Sequence, residues 1–202
     1  MRRFRFFTDL TKEEQWLNEM ARRGYHLMYR SLGYRFKKGD PKNTIYKIDY
    51  RKFKRKADFI DYEIMFEDSG WSRLPCPRRN GHQYFERIDE RATEDIFSDQ
   101  QSKAARYKRI SDLYLTQFYI SIPLIFILFM ANMLPLNFNP VNWYLTPGLW
   151  EMEGNLFWFA FLFETPFALM RGLAVYFLIL TILLCGLYGF RAKKQYEKET
   201  IS

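Results

Sequence analysis

The chain has 202 residues, a formal charge of +8 at pH 7 and two cysteines. That length makes one or two domains, and two lone cysteines, Cys76 and Cys185, supply neither a disulfide framework nor a zinc site. The charge is uneven: up to residue 110 there are about 26 basic against about 17 acidic side chains, and the aliphatic bulk comes afterwards.

In chain order, Met1-Arg2-Arg3-Phe4-Arg5 begins basic but meets Thr8 and Asp9 before any long apolar core, so no cleavable signal is expected. Phe4 to Phe7 reads as a strand. Thr11 and Glu14 have the spacing of a capping box, and Trp16, Leu17 and Met20 form the apolar stripe of a helix. Arg22 and Arg23 suit its negative end, and Gly24 suits a left-handed cap. Strands are expected at Tyr25 to Tyr29 and Tyr34 to Lys37. The order then recurs about 46 residues later, with a strand Ile45 to Tyr50, a helix Ala57 to Ser69, and strands Trp71 to Leu74 and Gln83 to Ile88. Gly24-Tyr25 answers to Gly70-Trp71. Ile60, Tyr62, Ile64 and Phe66 also alternate like a strand, but the repeat, Asp58, Asp61 and Gly70 favour the helix. The expected fold class is an α+β head at 1–89, built from a duplicated strand-helix-strand-strand unit with one antiparallel sheet and both helices on one of its faces.

Residues 90–112 are predicted to be a helical linker from head to bilayer. No Asp, Glu, Lys or Arg occurs from Leu113 to Trp150 or from Gly172 to Phe190. A charge at the centre of a bilayer costs about 2.5 to 3.5 kcal/mol, so these runs predict two transmembrane α-helices, at about 114–134 and 172–190, in a membrane domain 113–190. Pro123 lies inside the first, and Pro135 and Pro140 close it. The connector, Leu136 to Met170, carries Trp143, Tyr144, Trp150 and Trp158. Its stretch Leu156 to Phe163 is read as interfacial or re-entrant, because Arg171 weighs against a third crossing. Basic residues before the first span and after the second place both termini, including the tail 191–202, in the cytoplasm.

Candidate sites are sparse. Lys103, Arg106, Lys108, Arg109, Arg191, Lys193 and Lys194 are the candidates for membrane-surface contact. Tyr25, Tyr34, Trp71 and Tyr84, with Phe85, occupy matched places in the two copies. They are either core or the lining of a ligand-binding cleft between the halves. His26 and His82 lack a patterned third ligand, so no metal and no cofactor is expected. Glu13, Glu14 and Glu19 read as the solvated face of a helix, and Glu67 and Asp68 as exposed. Arg51 to Lys56 reads as a solvated turn before lipid contact, with nucleic acid last. No phosphate loop, nucleophile elbow or zincin sequence appears, so the chain is not expected to be an enzyme.

The string Phe7-Thr8-Asp9, Glu14-Gln15-Trp16-Leu17-Asn18-Glu19-Met20-Ala21-Arg22-Arg23-Gly24-Tyr25-His26-Leu27, followed by Tyr46 to Tyr50 and Phe66 to Trp71, resembles a bacterial family of uncharacterised, often membrane-anchored domains. The resemblance covers about the first 90 residues. It implies a Gram-positive source, genes beside PadR-type transcription regulators, and hence regulation. The element order is also similar to the GyrI-like ligand-binding fold. The expected function is a membrane-anchored binding or regulatory module in the inner (plasma) membrane, the alternative an accessory or immunity-type subunit of a transporter. The expected partners are membrane lipids and a protein, either a regulator or a transporter subunit. The small residues Cys185, Gly186 and Gly189 leave an oligomer open.

Overall fold

The computed structural model describes residues 1–77, 81–131 and 139–201. It divides the chain into two compact units, Met1–Leu113 with Tyr188–Ser202, and Tyr114–Leu187. The first unit therefore takes in residues that the sequence reading assigned to a linker and a tail. Its elements are β1 (Arg2–Arg3), α1 (Leu10–Arg22), β2 (Tyr25–Arg30), β3 (Tyr34–Lys38), β4 (Tyr46–Tyr50), α2 (Lys56–Asp68), β5 (Trp71–Arg73), β6 (His82–Arg87) and the start of α3 (Gln100–Met130). The end of α4 (Gly154–Ile201) completes it.

The head is α+β, but it holds two antiparallel three-stranded sheets in place of one, ordered β1-β3-β2 and β4-β6-β5. Nor do the helices share a face. Side chains alternate across a strand, and in the second sheet Ile48 and Tyr84 join the cluster under α1, whereas Phe85 joins Tyr62 and Phe66 of α2. That sheet is sandwiched between α1 and α2. The larger cluster runs through both sheets, with Leu27, Tyr34 and Phe36 from the first and Tyr46, Ile48 and Tyr84 from the second.

Several ends differ from expectation. The first strand lies at Arg2–Arg3, before Phe4 to Phe7, because Phe7 turns inward against Trp16 and Tyr34. The cap of α1 is Asp9, whose carboxylate accepts from the Thr11 and Lys12 amides. Thr11 and Glu14 form no capping box, since the Thr11 hydroxyl accepts from Arg106 and Glu14 points inward. Both α1 and α2 run into a left-handed glycine, Gly24 at φ 79° and Gly70 at φ 82°, as the sequence requires. Residues 88–99 are irregular and helix starts only at Gln100. Ala92 and Ile96 fold back onto the cluster of Phe66, Trp71 and Phe85, so this stretch is a lid on the head.

The β4 edge shows what locks α1 and α3 to the sheet. Among the described residues strand β4 pairs on one side only, with β6, and its outward backbone groups need partners. The Tyr46 amide donates to Asn18 at 2.7 Å and the Ile48 amide to Glu14 at 3.0 Å. Arg106 donates to the Ile48 carbonyl at 2.8 Å and Arg109 to the Tyr50 carbonyl at 2.6 Å. Arg106 also pairs with Glu14, both side chains being at most 5% exposed. Burial opposes the Arg106 charge, and Glu14, with Tyr107 and Glu199, outweighs it.

In the second unit, α3 runs unbroken through Pro123 to Met130, and α4 is a single helix of 48 residues that includes the Phe-rich stretch and Arg171. The expected end of the first span, Pro135 and the start of the connector fall outside the described residues. Two short 3-10 turns, Pro140–Trp143 and Leu149–Glu151, precede α4. They are tied to it by the Glu164 carboxylate, which accepts from the Leu145 and Thr146 amides, and by Arg171, which donates to the Trp143 carbonyl. Gly186 lets the Phe118 ring lie where a larger residue would clash, a Cβ there coming within 3.0 Å of it. Both α3 and α4 are long and apolar enough to cross a membrane, and only 6% and 22% of their most apolar stretches are buried. A core helix in a water-soluble protein hides such a surface, so this exposure points to lipid as the surrounding medium.

Removing one partner of a buried ion pair strands the other. Arg106→Ala is expected to lower the stability of the detergent-solubilised chain by about 3–5 kcal/mol, with part recovered in the Arg106→Ala, Glu14→Gln double variant, as read by thermal unfolding.

Candidate functional site

The matched aromatic residues do not converge on one cleft. Tyr34 and Tyr84 are fully buried, and both hydroxyls donate to the same Glu13 oxygen, at 2.6 and 2.7 Å. The face between the halves is thus filled by a carboxylate hub. Glu13 and Glu14, read from sequence as solvated, are 3% and 4% exposed, while Glu19 stays outside and pairs with Arg23. Burial pushes the Glu13 carboxyl above its ordinary 4.5, with Tyr34, Tyr84 and Arg30 pulling the other way. Tyr25 is half-buried against the larger cluster.

Trp71 lines a cavity. A cleft of about 600 Å³ opens in the head between α2, the irregular stretch 93–98 and the first turns of α3. Its walls are Tyr62, Met65, Phe66 and Trp71 on one side, and Ile96, Phe97, Ser102 and Ala105 on the other, with Asp49, Arg51, Asp95 and Arg109 supplying charge. The Trp71 indole N–H is buried without a hydrogen-bond partner among the described residues.

Most of that charge is already committed. Asp49 accepts from Tyr62 at 2.9 Å and from Arg109 at 2.6 Å. Asp95 is bonded by Lys47 at 3.2 Å and Lys103 at 3.0 Å, and these two ammonium groups overcome burial to hold its carboxyl below the ordinary value. Arg51 lies over the Tyr62 ring at 5.5 Å and forms no ion pair among the described residues. Among the described residues the cleft therefore offers one cation without an ion pair, Arg51, with a buried indole donor and an aromatic wall, a set suited to an amphipathic anion.

The other predicted residues fall as follows. Arg106 is 0% exposed and presents no surface, whereas Lys108 is exposed and lies 6.0 Å from the Tyr196 ring. Lys103 and Arg109 engage Asp95 and Asp49. Arg191, Lys193 and Lys194 lie exposed on the last turns of α4. His26 bonds the Asp40 carbonyl at 2.8 Å, and His82 meets the Tyr50 ring edge-on. Within 51–56, Arg55 pairs with Asp58 and Phe53 packs on Phe59 and Tyr62. Asp49, Asp95, Phe97 and Ser102 were not singled out from sequence, because their meeting depends on the lid folding back.

The Glu13 shift has a defined sign. A carboxyl raised above its unfolded 4.5 adds stability at low pH and gives it up as pH climbs to the raised value. Melting temperatures taken from about pH 4 to pH 8 are therefore expected to move in favour of Glu13→Gln relative to the parent as pH rises, and a constant gap refutes the shift.

No curated protein and no solved structure matches the chain. Residues 9–119, which run from the cap of α1 into α3 and so include every wall of the cleft, match the family described as protein of unknown function, DUF2812. With more than half its length matched, the chain belongs to the DUF2812 family.

Proposed function

We propose that the chain is a non-enzymatic binding or regulatory module of the inner (plasma) membrane, anchored by α3 and α4 with both termini in the cytoplasm. Its head takes an amphipathic anion, or a protein segment carrying one, into the cleft beside Trp71. The observation that carries this reading is that Ser102, Ala105 and Arg109, which line the cleft, belong to the helix that continues to Met130. Occupancy thereby acts on an element that enters the membrane. Basic residues flanking both charge-free runs support the cytoplasmic placement. The head is also read as a duplication: both sheets have the order first-third-second strand, and Gly24 and Gly70 close equivalent helices. A transcription regulator of the PadR type, which the resemblance implies together with a Gram-positive source, is the protein partner that this reading favours.

A second reading, an accessory or immunity-type subunit of a transporter, is favoured by α4. At about 1.5 Å per residue its 48 residues reach about 72 Å, more than twice the roughly 30 Å hydrocarbon layer. Leu156, Trp158, Phe159, Leu162 and Phe163 remain exposed beyond the 172–190 run.

Ala105→Trp fills the cleft without changing charge. Small molecules and proteins retained by the full chain purified in mild detergent are to be identified by mass spectrometry. The expected outcome is an anionic amphiphile or a regulator present with the parent and absent from the variant. Identical retention, or a transporter held by the spans whatever the state of the cleft, supports the second reading.

A further inference from the structure

The outer face of the first sheet is a second surface with a chemistry of its own. The inner face carries Leu27, Tyr34 and Phe36 into the core, so residues in the alternate register point away from it. The register sets Arg2 opposite Arg35, and Arg35 opposite Tyr29, in one rung across all three strands. His26 and Lys37 form a further rung. Arg2, Arg35 and Lys37 are exposed, and none has a carboxylate within ion-pair reach among the described residues. Like charges directly opposed on a sheet repel and weaken the pairing, so this rung is relieved when an anion lies over it.

Beside these cations stands an apolar tip. Leu32, in the β2–β3 turn, is 86% exposed, and Phe4 is 70% exposed with its ring against Gly33 of the same turn. Arg2 lies over the Phe4 ring at 4.6 Å. Phe6, 73% exposed, packs at 5.7 Å on Tyr188, a residue near the end of the charge-free run Gly172 to Phe190. The segment that follows β1 and carries Phe4 is thus held beside Tyr188, near the end of the apolar stretch of α4. Resting on the membrane anchoring proposed above, we infer that this face, with Phe4 and Leu32 at its tip and Arg2, Arg35 and Lys37 around them, docks on an anionic phospholipid surface. Exposed apolar side chains ringed by cations partition into the headgroup boundary, while the cations meet the lipid phosphates. Nucleic acid would satisfy the cations, but Leu32 has no ring for a base to stack on and would stay exposed.

The test uses the full chain reconstituted in vesicles of phosphatidylcholine alone or mixed with phosphatidylglycerol. A polarity-sensitive fluorophore is placed at Leu32→Cys in a Cys76→Ala, Cys185→Ala background. In mixed vesicles the emission is expected to shift to the blue and the label to be shielded from acrylamide. Both effects are lost in phosphatidylcholine, in about 1 M salt where the Debye length is about 3 Å, and in the Arg2→Glu, Arg35→Glu variant. A label equally accessible in both vesicles overturns the proposal, as does shielding by an added RNA oligonucleotide in phosphatidylcholine. Hydrogen exchange on the parent chain gives a readout independent of the cysteine changes: amides of residues 28–36 are expected to slow in mixed vesicles only. A chain that fails to float with vesicles refutes the anchoring itself, and a chain that floats with an unshielded tip refutes only this surface.

Discussion

An edge strand with nothing to pair with governs the head. On its open side β4 presents amides and carbonyls at Tyr46, Ile48 and Tyr50, which in many proteins would invite another strand. Here Asn18 and Glu14 of α1 take the amides, and Arg106 and Arg109 of α3 take the carbonyls. Because Glu14 and Arg106 also bind each other, almost fully buried, the two helices and the strand close into one polar joint. Glu13, the neighbouring residue, ties the same helix to both sheets through Tyr34 and Tyr84. Two adjacent carboxylates on α1 thus fix the relation of every layer around it.

That joint changes the meaning of the basic run before the first span. Lys103, Arg106 and Arg109 recur every third residue, which sets them along one side of a helix. Each finds its partner inside the head: Asp95, Glu14 and Asp49. A count of positive charges near a span cannot distinguish cations that face lipid from cations that dock a helix. The carboxylates that separate the two cases lie 8 to 92 residues away in sequence.

Much of the head was legible for a physical reason. Glycines in the left-handed region end helices, and alternation with turn residues marks strands, so α1, α2 and β2 to β6 fall within a few residues of expectation. The buried carboxylates were legible too, in the spacing. Leu10, Glu13, Glu14, Leu17, Met20 and Ala21 follow the three-and-four rhythm of a buried stripe and are all buried, but residue type suggested solvent. What the sequence could not supply was pairing. Alternation states that Tyr84 and Phe85 face opposite ways, not which helix each will meet, and so the single sheet with helices on one face became two sheets, one of them covered on both faces. The cleft was out of reach for the same reason, since its wall is Ile96 and Phe97 folding back onto residues more than 20 positions earlier.

The cleft and the joint share one residue, and that gives the binding reading its physical content. Arg109 donates to the Tyr50 carbonyl at the β4 edge and to Asp49, whose other oxygen accepts from Tyr62 in the cleft wall. A ligand can shift a helix only through contacts that differ between two positions of that helix. An anion that enters beside Arg51 encounters Arg109 already shared between a carbonyl and a carboxylate, and it either draws the guanidinium away from Asp49 or leaves the set intact. In the first case the Tyr62 to Asp49 bond and the edge bond of α3 are perturbed together. Typical coupling of this kind is worth about 1 to 3 kcal/mol, enough to redistribute two positions of α3 but too little to undo the Glu14–Arg106 pair. On the proposed binding reading, the pair three residues earlier on the same helix would then be the pivot, and an occupied cleft would act on the part of α3 that continues from Arg109 towards Met130.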